Sequence, residues 1–217
     1  MKPLTLTITG ALMLACAPSL VHGQQTNAVP GKEAAQCFEE SEGYKRQTLT
    51  CSKIVRTQMI DGRPATKREL AMANTFRTNA TARPRVIIRY TSDAIAHDPT
   101  YAPAYVERGV GYRMAEDYRA SIADFDKAIE LDPDLERAYL GKAQTLMDMK
   151  HHAEALQSLN AILQRKPETI QAYRMRSECF ERLGDIENAI ADQKRILEIM
   201  PRDPFAKAAL TRLEKKR

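Results

Sequence analysis

Cysteine and histidine are the residues of this chain best able to do chemistry, and there are four of each among 217. The cysteines stand at Cys16, Cys37, Cys51 and Cys179, with no C-x-x-C spacing to make a dithiol redox couple. His151 and His152 are adjacent, so their side chains diverge instead of converging on a metal, and no Cys, Asp or Glu spacing completes a ligand set. We read both as solvated and expect no metal and no cofactor. The chain also lacks a nucleophile elbow, a phosphate-binding glycine loop and a zinc signature. Carboxylates are plentiful, but in phrases such as "DFDKAIELD" they alternate with basic residues, as solvated helix faces do. These residues argue against an enzyme.

What must position them is helical. A composition of 43% hydrophobic and 6% aromatic residues with no Trp suits a helical domain or array better than a β-sandwich. The opening "MKPLTLTITGALMLACAPSLVHGQQ" sets Lys2 before an apolar run and then small residues, the layout of a secretory signal peptide over residues 1–23. Cleavage after Gly23 is favoured over cleavage after Ala17, where Pro18 would follow the cut. A third reading makes "MLAC" a lipoprotein signal with Cys16 acylated, although Met13 stands where Leu is usual. No later stretch approaches the ~20 apolar residues of a membrane span, so the mature chain is expected to be exported, periplasmic or secreted. Its formal charge of +5, less Lys2 of the leader, is too mild to specify a partner.

Prolines recur at Pro99, Pro133, Pro167 and Pro201, a constant period of 34 residues. Each closes a similar phrase: "TSDAIAHDP", "FDKAIELDP", "LNAILQRKP" and "KRILEIMP". An apolar helix end runs into a residue that cannot continue it. Upstream of each lies a second helical segment: "RELAMANTFRTNA", "PAYVERGVGYRMA", "RAYLGKAQTLMDM" and "QAYRMRSECFERLG". The unit is a helix pair. It resembles the tetratricopeptide repeat, whose pattern has a large aromatic at position 4, small residues at 8 and 20, a bulky one at 24, Ala at 27 and Pro at 32. With Pro133 at 32, those places hold Tyr105, Gly109, Ser121, Phe125 and Ala128. The next unit offers Tyr139, Ala143, Ala155, Leu159 and Ile162, and the following one Tyr173, Ser177, Ala189, Gln193 and Ile196. Gln193 is the clearest departure. A degenerate unit keeps Ala71, Ile87, Ala94 and Pro99 but has Thr75 and Thr91 at positions 8 and 24.

The resemblance implies an all-α fold, a right-handed α-solenoid of antiparallel helix pairs. Residues 68–203 form the array (68–101 degenerate, then 102–135, 136–169 and 170–203), and 204–217 form a C-terminal capping helix. Within that cap Phe205, Ala206, Ala209, Leu210 and Leu213 are expected over the last unit, with Arg212, Lys215, Lys216 and Arg217 in water. This basic cluster lacks the interleaved aromatics of a nucleic-acid surface. Residues 24–67 read as a divergent helix pair with a loop around Asp61, Gly62 and Pro64. Setting Ile54 and Val55 beside Ala94 and Ile95 puts Cys51 near position 24 and Cys37 near position 10, facing each other, so a Cys37–Cys51 disulfide is expected in an oxidising compartment. Cys179 reads as a small core thiol.

Members of this family bind peptides or partner helices in the groove lined by the first helix of each pair. Positions near 2, 5, 9, 12 and 13 face it. Here they give Met72, Phe76 and Asn79, then Val106, Val110, Arg113 and Met114, then Arg137, Leu140, Gln144, Met147 and Asp148, and finally Arg174, Glu178, Glu181 and Arg182. Members that clamp a chaperone's terminal carboxylate carry Lys and Asn where this chain has Val106 and Val110, which argues against that ligand. The stripe reads instead as apolar and methionine-rich toward the N-terminus and charged toward the C-terminus. The expected partner is a protein or peptide, not nucleic acid, and the expected role is a non-enzymatic scaffold or adaptor of the cell envelope. The alternative is a lipid-anchored assembly factor of a secretion, pilus or outer-membrane machine.

Overall fold

A computed structural model describes residues 31–38 and 44–217. The leader and Cys16 lie outside these residues. Among the described residues are eleven α-helices: α1 (Lys32–Phe38), α2 (Tyr44–Thr57), α3 (Lys67–Phe76), α4 (Pro84–His97), α5 (Ala102–Met114), α6 (Tyr118–Leu131), α7 (Glu136–Asp148), α8 (His152–Arg165), α9 (Ile170–Arg182), α10 (Ile186–Ile199) and α11 (Pro204–Glu214). Each helix packs on the next, so the chain is an all-α solenoid of antiparallel pairs.

The local rules repeat with the sequence. The turn inside a pair is made at Glu116, Lys150 and Gly184, three equivalent positions whose φ values are 61°, 65° and 80°. Only glycine adopts this left-handed backbone without strain, and only the last repeat uses it. One residue later Asp117 and Asp185 cap α6 and α10, accepting from Ala120 N at 3.1 Å and Asn188 N at 3.2 Å. Between pairs, the hydroxyls of Tyr105, Tyr139 and Tyr173 donate to the carbonyls of Pro99, Pro133 and Pro167 at 3.0, 3.1 and 3.1 Å. The same contact thus ties each pair to the one before it.

Small residues let the helices of a pair approach. Gly109, Ser121, Ala143, Ala155, Ser177 and Ala189 are all buried. Ser121 Oγ donates to Gly109 O and Ser177 Oγ to Ala189 O, each at 2.9 Å. Phe125 is fully buried between repeats, and its ring occupies the space beside two glycines. A Cβ on Gly141 would lie 2.3 Å from Phe125 Cε1, and one on Gly109 3.1 Å away. Bidentate pairs brace two repeats at matching places: Arg108 holds Asp124 at 2.7 and 2.8 Å, and Arg176 holds Asp192 at 2.9 and 2.6 Å. Both are half-buried on the arginine side, which screens them less than a surface pair.

At the N-terminus α1 and α2 form one more pair, stapled by a disulfide between Cys37 and Cys51, both fully buried. They share a small core with Ala34, Ile54, Ile60, Leu70 and Ala73. The expected loop around Asp61 is instead a two-stranded hairpin, β1 (Met59–Ile60) and β2 (Arg63–Pro64), pairing Ile60 with Arg63. Asp61 and Gly62 at its tip both have left-handed φ, as a tight type I′ turn requires. The hairpin clasps α1: Asp61 Oδ1 accepts from Glu33 N at 2.8 Å, and Glu33 Oε2 accepts from Asp61 N at 2.9 Å. Thr66 then starts α3 with a capping box to Glu69.

At the other end α11 covers the last pair with Ala206 and Leu213, 1% and 0% exposed. Phe205 departs from expectation. On the second residue of α11, it stands 71% exposed with the Arg174 guanidinium 5.4 Å from its ring centre.

Two outcomes check this packing. Gly141→Ala would gain about 1 kcal/mol from helix propensity at an open site, but against Phe125 it lowers stability by about 1–3 kcal/mol in urea denaturation. Cys51→Ser removes a crosslink spanning 14 residues, and lowers stability by about 3 kcal/mol. The loss shows as faster amide exchange in α1 and α2, with α5 to α10 unchanged.

Candidate functional site: the inner curve of the array

The odd-numbered helices make the inner wall. α1 touches α3, α3 touches α5, α5 touches α7 and α7 touches α9, whereas the even-numbered helices do not pack on one another to that extent. The odd helices therefore crowd together on the concave side while their partners fan out behind.

Helix crowding changes which of the expected side chains are free. Val106 is 1% exposed and packs with Tyr105, Phe125, Ala128 and Ala138, because α7 closes over that face of α5. Met147, at 9%, joins the core shared by α7, α8 and α9, and Leu140 packs against the same core. Met72 lies against Ala71, Ala94, Tyr101 and Ala104. Phe76 is partly covered by Phe38 of α1, their ring centres 6.1 Å apart. The apolar, methionine-rich stripe is thus mostly spent on holding neighbouring helices together. Val110, partly buried, and Met114, 41% exposed, keep apolar surface on the curve, and Asn79 is exposed beyond them.

Polar positions are tied into ion pairs that cross from helix to helix. Arg137 reaches back to Glu107 at 2.5 Å, and Arg113 reaches forward to Asp148 at 3.0 Å, which Gln144 also meets at 2.9 Å. Further along, Glu178 and Arg182 approach to 3.7 Å. Arg174 is held by Asp203, the residue that also caps α11 through Ala206 N at 2.6 Å. Glu181 takes both Arg212 and Lys216 of α11. The Arg212 hydrogen bonds, with Lys216 adding to them, hold the Glu181 carboxyl at about 2.

Cys179 is unsuited to nucleophilic chemistry, and the two adjacent histidines sit in different surroundings. Cys179 is fully buried, and burial, with Glu178 adding, pushes its thiol up to about 11, far from a nucleophile at neutral pH. His151 is exposed and pairs with Glu154 at 2.9 Å. His152, expected in water, is half-buried with Nδ1 shielded and without a partner. Among the described residues no group of three or more His, Cys, Asp or Glu side chains is placed to hold a metal ion, and no helix is long and apolar enough to cross a membrane.

Tetratricopeptide-repeat family models match residues 112–179 and 170–203. Residues 112–203 of this chain are tetratricopeptide repeats. The TPR segment is 29% identical over 94 residues, 43% of the chain, to a rice protein, "Protein SGT1 homolog", and covers 26% of it. The chain spans 16–26% of the length of the curated relatives it matches. In three dimensions the TPR fold is similar to MamA of Desulfovibrio magneticus RS-1, with a TM-score of 0.60, 20% identity, and coverage of 69% of this chain and 85% of that one. It is also similar to the first TPR of Spaghetti (RPAP3), solved bound to an HSP90 peptide, with a TM-score of 0.50, 23% identity, and coverage of 53% and 94%. Proteins of this family mediate protein–protein interaction.

The ion pairs on Glu181 predict an acid-labile cap. A carboxyl held at about 2, against its ordinary 4.5, favours the docked state above the ordinary value and loses that contribution as pH falls from 4.5 toward 2. Amide signals of α11 should therefore broaden or shift over that window, and in Glu181→Gln this pH dependence should be absent.

Proposed function

We propose that the protein is a non-enzymatic adaptor of the cell envelope that takes a peptide or helix of a partner protein along its inner curve. One observation carries this reading. Met114, 41% exposed, and Val110, partly buried like Met72, Phe76 and Leu140, keep apolar surface on a concave wall where Val106 and Met147 are packed away. Burying what each still exposes would contribute well under the ~1.5–3 kcal/mol of a fully exposed side chain, before association costs. Two such anchors suit a weak, exchangeable contact with an amphipathic segment, which presents apolar side chains three or four residues apart.

The leader layout of residues 1–23 and a buried Cys37–Cys51 disulfide fit an oxidising space outside the cytosol. We place the array at residues 68–203, with 24–67 and 204–217 as its two end caps, and the groove positions Arg113, Arg137, Gln144, Arg174 and Glu178 as polar contacts beside the two anchors.

A photoreactive residue introduced in place of Val110 in living cells tests this. Crosslinking to one partner polypeptide, lost in a chain that also carries Met114→Asp yet retains its thermal midpoint, is the expected result. Crosslinking that persists with Met114→Asp, or that arises equally from an introduced residue on the outer face at Asp126, rejects the groove.

A further inference from the structure

The cleft between α9, α10 and α11 repeats, 34 residues on, a smaller one lined by Gln144, Met147, Asp148, Glu178 and Arg182, and differs from it in its floor. It encloses about 630 Å³ and is lined by Arg174, Glu178, Glu181, Arg182, Arg212 and Lys216, with Ser177 and Gln193 at its floor. Gln193 is the departure from the repeat pattern, standing where Phe125 and Leu159 fill the equivalent space with apolar, fully buried side chains. Here the floor is an amide. Gln193 Nε2 spends one of its two hydrogens on Ser177 Oγ at 2.8 Å, and Ser177 Oγ spends its own on Ala189 O. The floor can hydrogen-bond an entering polar group, which the phenyl ring and the leucine of the earlier repeats cannot.

The charges select which polar group. Four cations line the cleft against Glu178, Glu181 and the Asp203 that holds Arg174, so one positive charge is unmatched. Arg212 and Lys216 share a single carboxylate, and the Arg182–Glu178 pair is both loose, at 3.7 Å, and exposed. Lys216 and Arg182 are thus the cations least committed, and both face the cleft.

We propose that this cleft binds an acidic side chain, Asp or Glu, of the polypeptide lying in the groove, with Arg182 and Lys216 pairing the carboxylate and the Gln193 amide donating to it. This rests on the groove reading for its partner, but not for its chemistry. The partner segment would carry apolar side chains toward Val110 and Met114 and an acidic one toward α11. The occupant is a side-chain carboxylate inside a segment, because Arg174, Glu178, Glu181 and Arg182 line the cleft and are also the groove positions of α9, so a segment running past them presents side chains there.

Calorimetric titration of the full oxidised chain tests it, using acetyl-diglutamate amide, acetyl-diglutamine with a free terminal carboxylate, and acetyl-diglutamine amide. The first should bind in the millimolar range, more weakly as salt is raised, and at least about fivefold more tightly than either of the others. Arg182→Gln and Lys216→Gln should each weaken it severalfold. Gln193→Leu, which restores the repeat pattern, should weaken it to a similar degree without lowering the thermal midpoint, which a merely structural glutamine would not do. Equal binding of all three probes, preference for the terminal carboxylate, or unchanged affinity in Gln193→Leu overturns the proposal. The Val110→Asp and Met114→Asp double variant separates the two readings: it should keep diglutamate binding even where capture of the partner is lost, and loss of diglutamate binding in that variant overturns a cleft with its own chemistry.

Discussion

One contact per repeat, the tyrosine hydroxyl on the proline carbonyl of the preceding pair, fixes the pitch of this molecule. A proline cannot continue a helix, so α4, α6 and α8 end at the same place in each period. Its carbonyl, left without a helical partner, is taken by Tyr105, Tyr139 or Tyr173 at the start of the next pair. The tyrosine ring is itself buried between pairs, so hydrogen bonding and apolar burial demand the same stacking. Because the constraint recurs every 34 residues, each pair is placed relative to the last in the same way, and a curved wall results from repetition alone.

That regularity explains how much was legible beforehand. Proline period, small residues at the close approach of each pair and the aromatic at each junction report backbone constraints that hold wherever the unit recurs, so the helix pairs and their order could be read from them. The Cys37–Cys51 pairing was legible by the same alignment, since position within a unit predicts neighbours across it. What escaped was decided between units. Val106 and Met147 occupy positions that face inward, but how closely adjacent odd helices approach determines whether inward means exposed, and position alone carries no such distance. The hairpin at Asp61 and Gly62 is a different omission. An Asp-Gly pair followed two residues on by Pro64 signals a tight turn, but strands of two residues leave no alternation to detect.

The two ends of the array meet the same problem with different chemistry. A terminal pair has a neighbour on one side only, so α1, a helix of seven residues, cannot be held by burial alone. It is fastened by a disulfide, by the reciprocal bonds between Glu33 and Asp61, and by the Lys53–Glu33 ion pair. At the far end α11 is fastened by charge. Asp203 both caps the helix and holds Arg174, and Glu181 gathers Arg212 and Lys216. The first fastening depends on an oxidising environment, the second on a pH above the range in which Glu181 protonates.

This asymmetry bears on where a repeat protein can keep polar groups. In the middle of the array position 24 is enclosed by its own pair and by the first helix of the next, so a polar side chain there would lose water on every side. Phe125 and Leu159 obey that rule, and Thr91, fully buried at the same position of the degenerate unit, meets it by donating its hydroxyl to Ile87 O at 2.8 Å. Thr145 and Ser121, buried between repeats, are tolerated because they satisfy each other at 3.0 Å and find backbone carbonyls besides. Behind the last pair the next helix is the cap, which carries Arg212 and Lys216 over the same position, so Gln193 meets charge and space where Phe125 meets a glycine. The end of the array is the place where a glutamine can sit at a core position at small cost, and the only full repeat with an open side there is the one that has it.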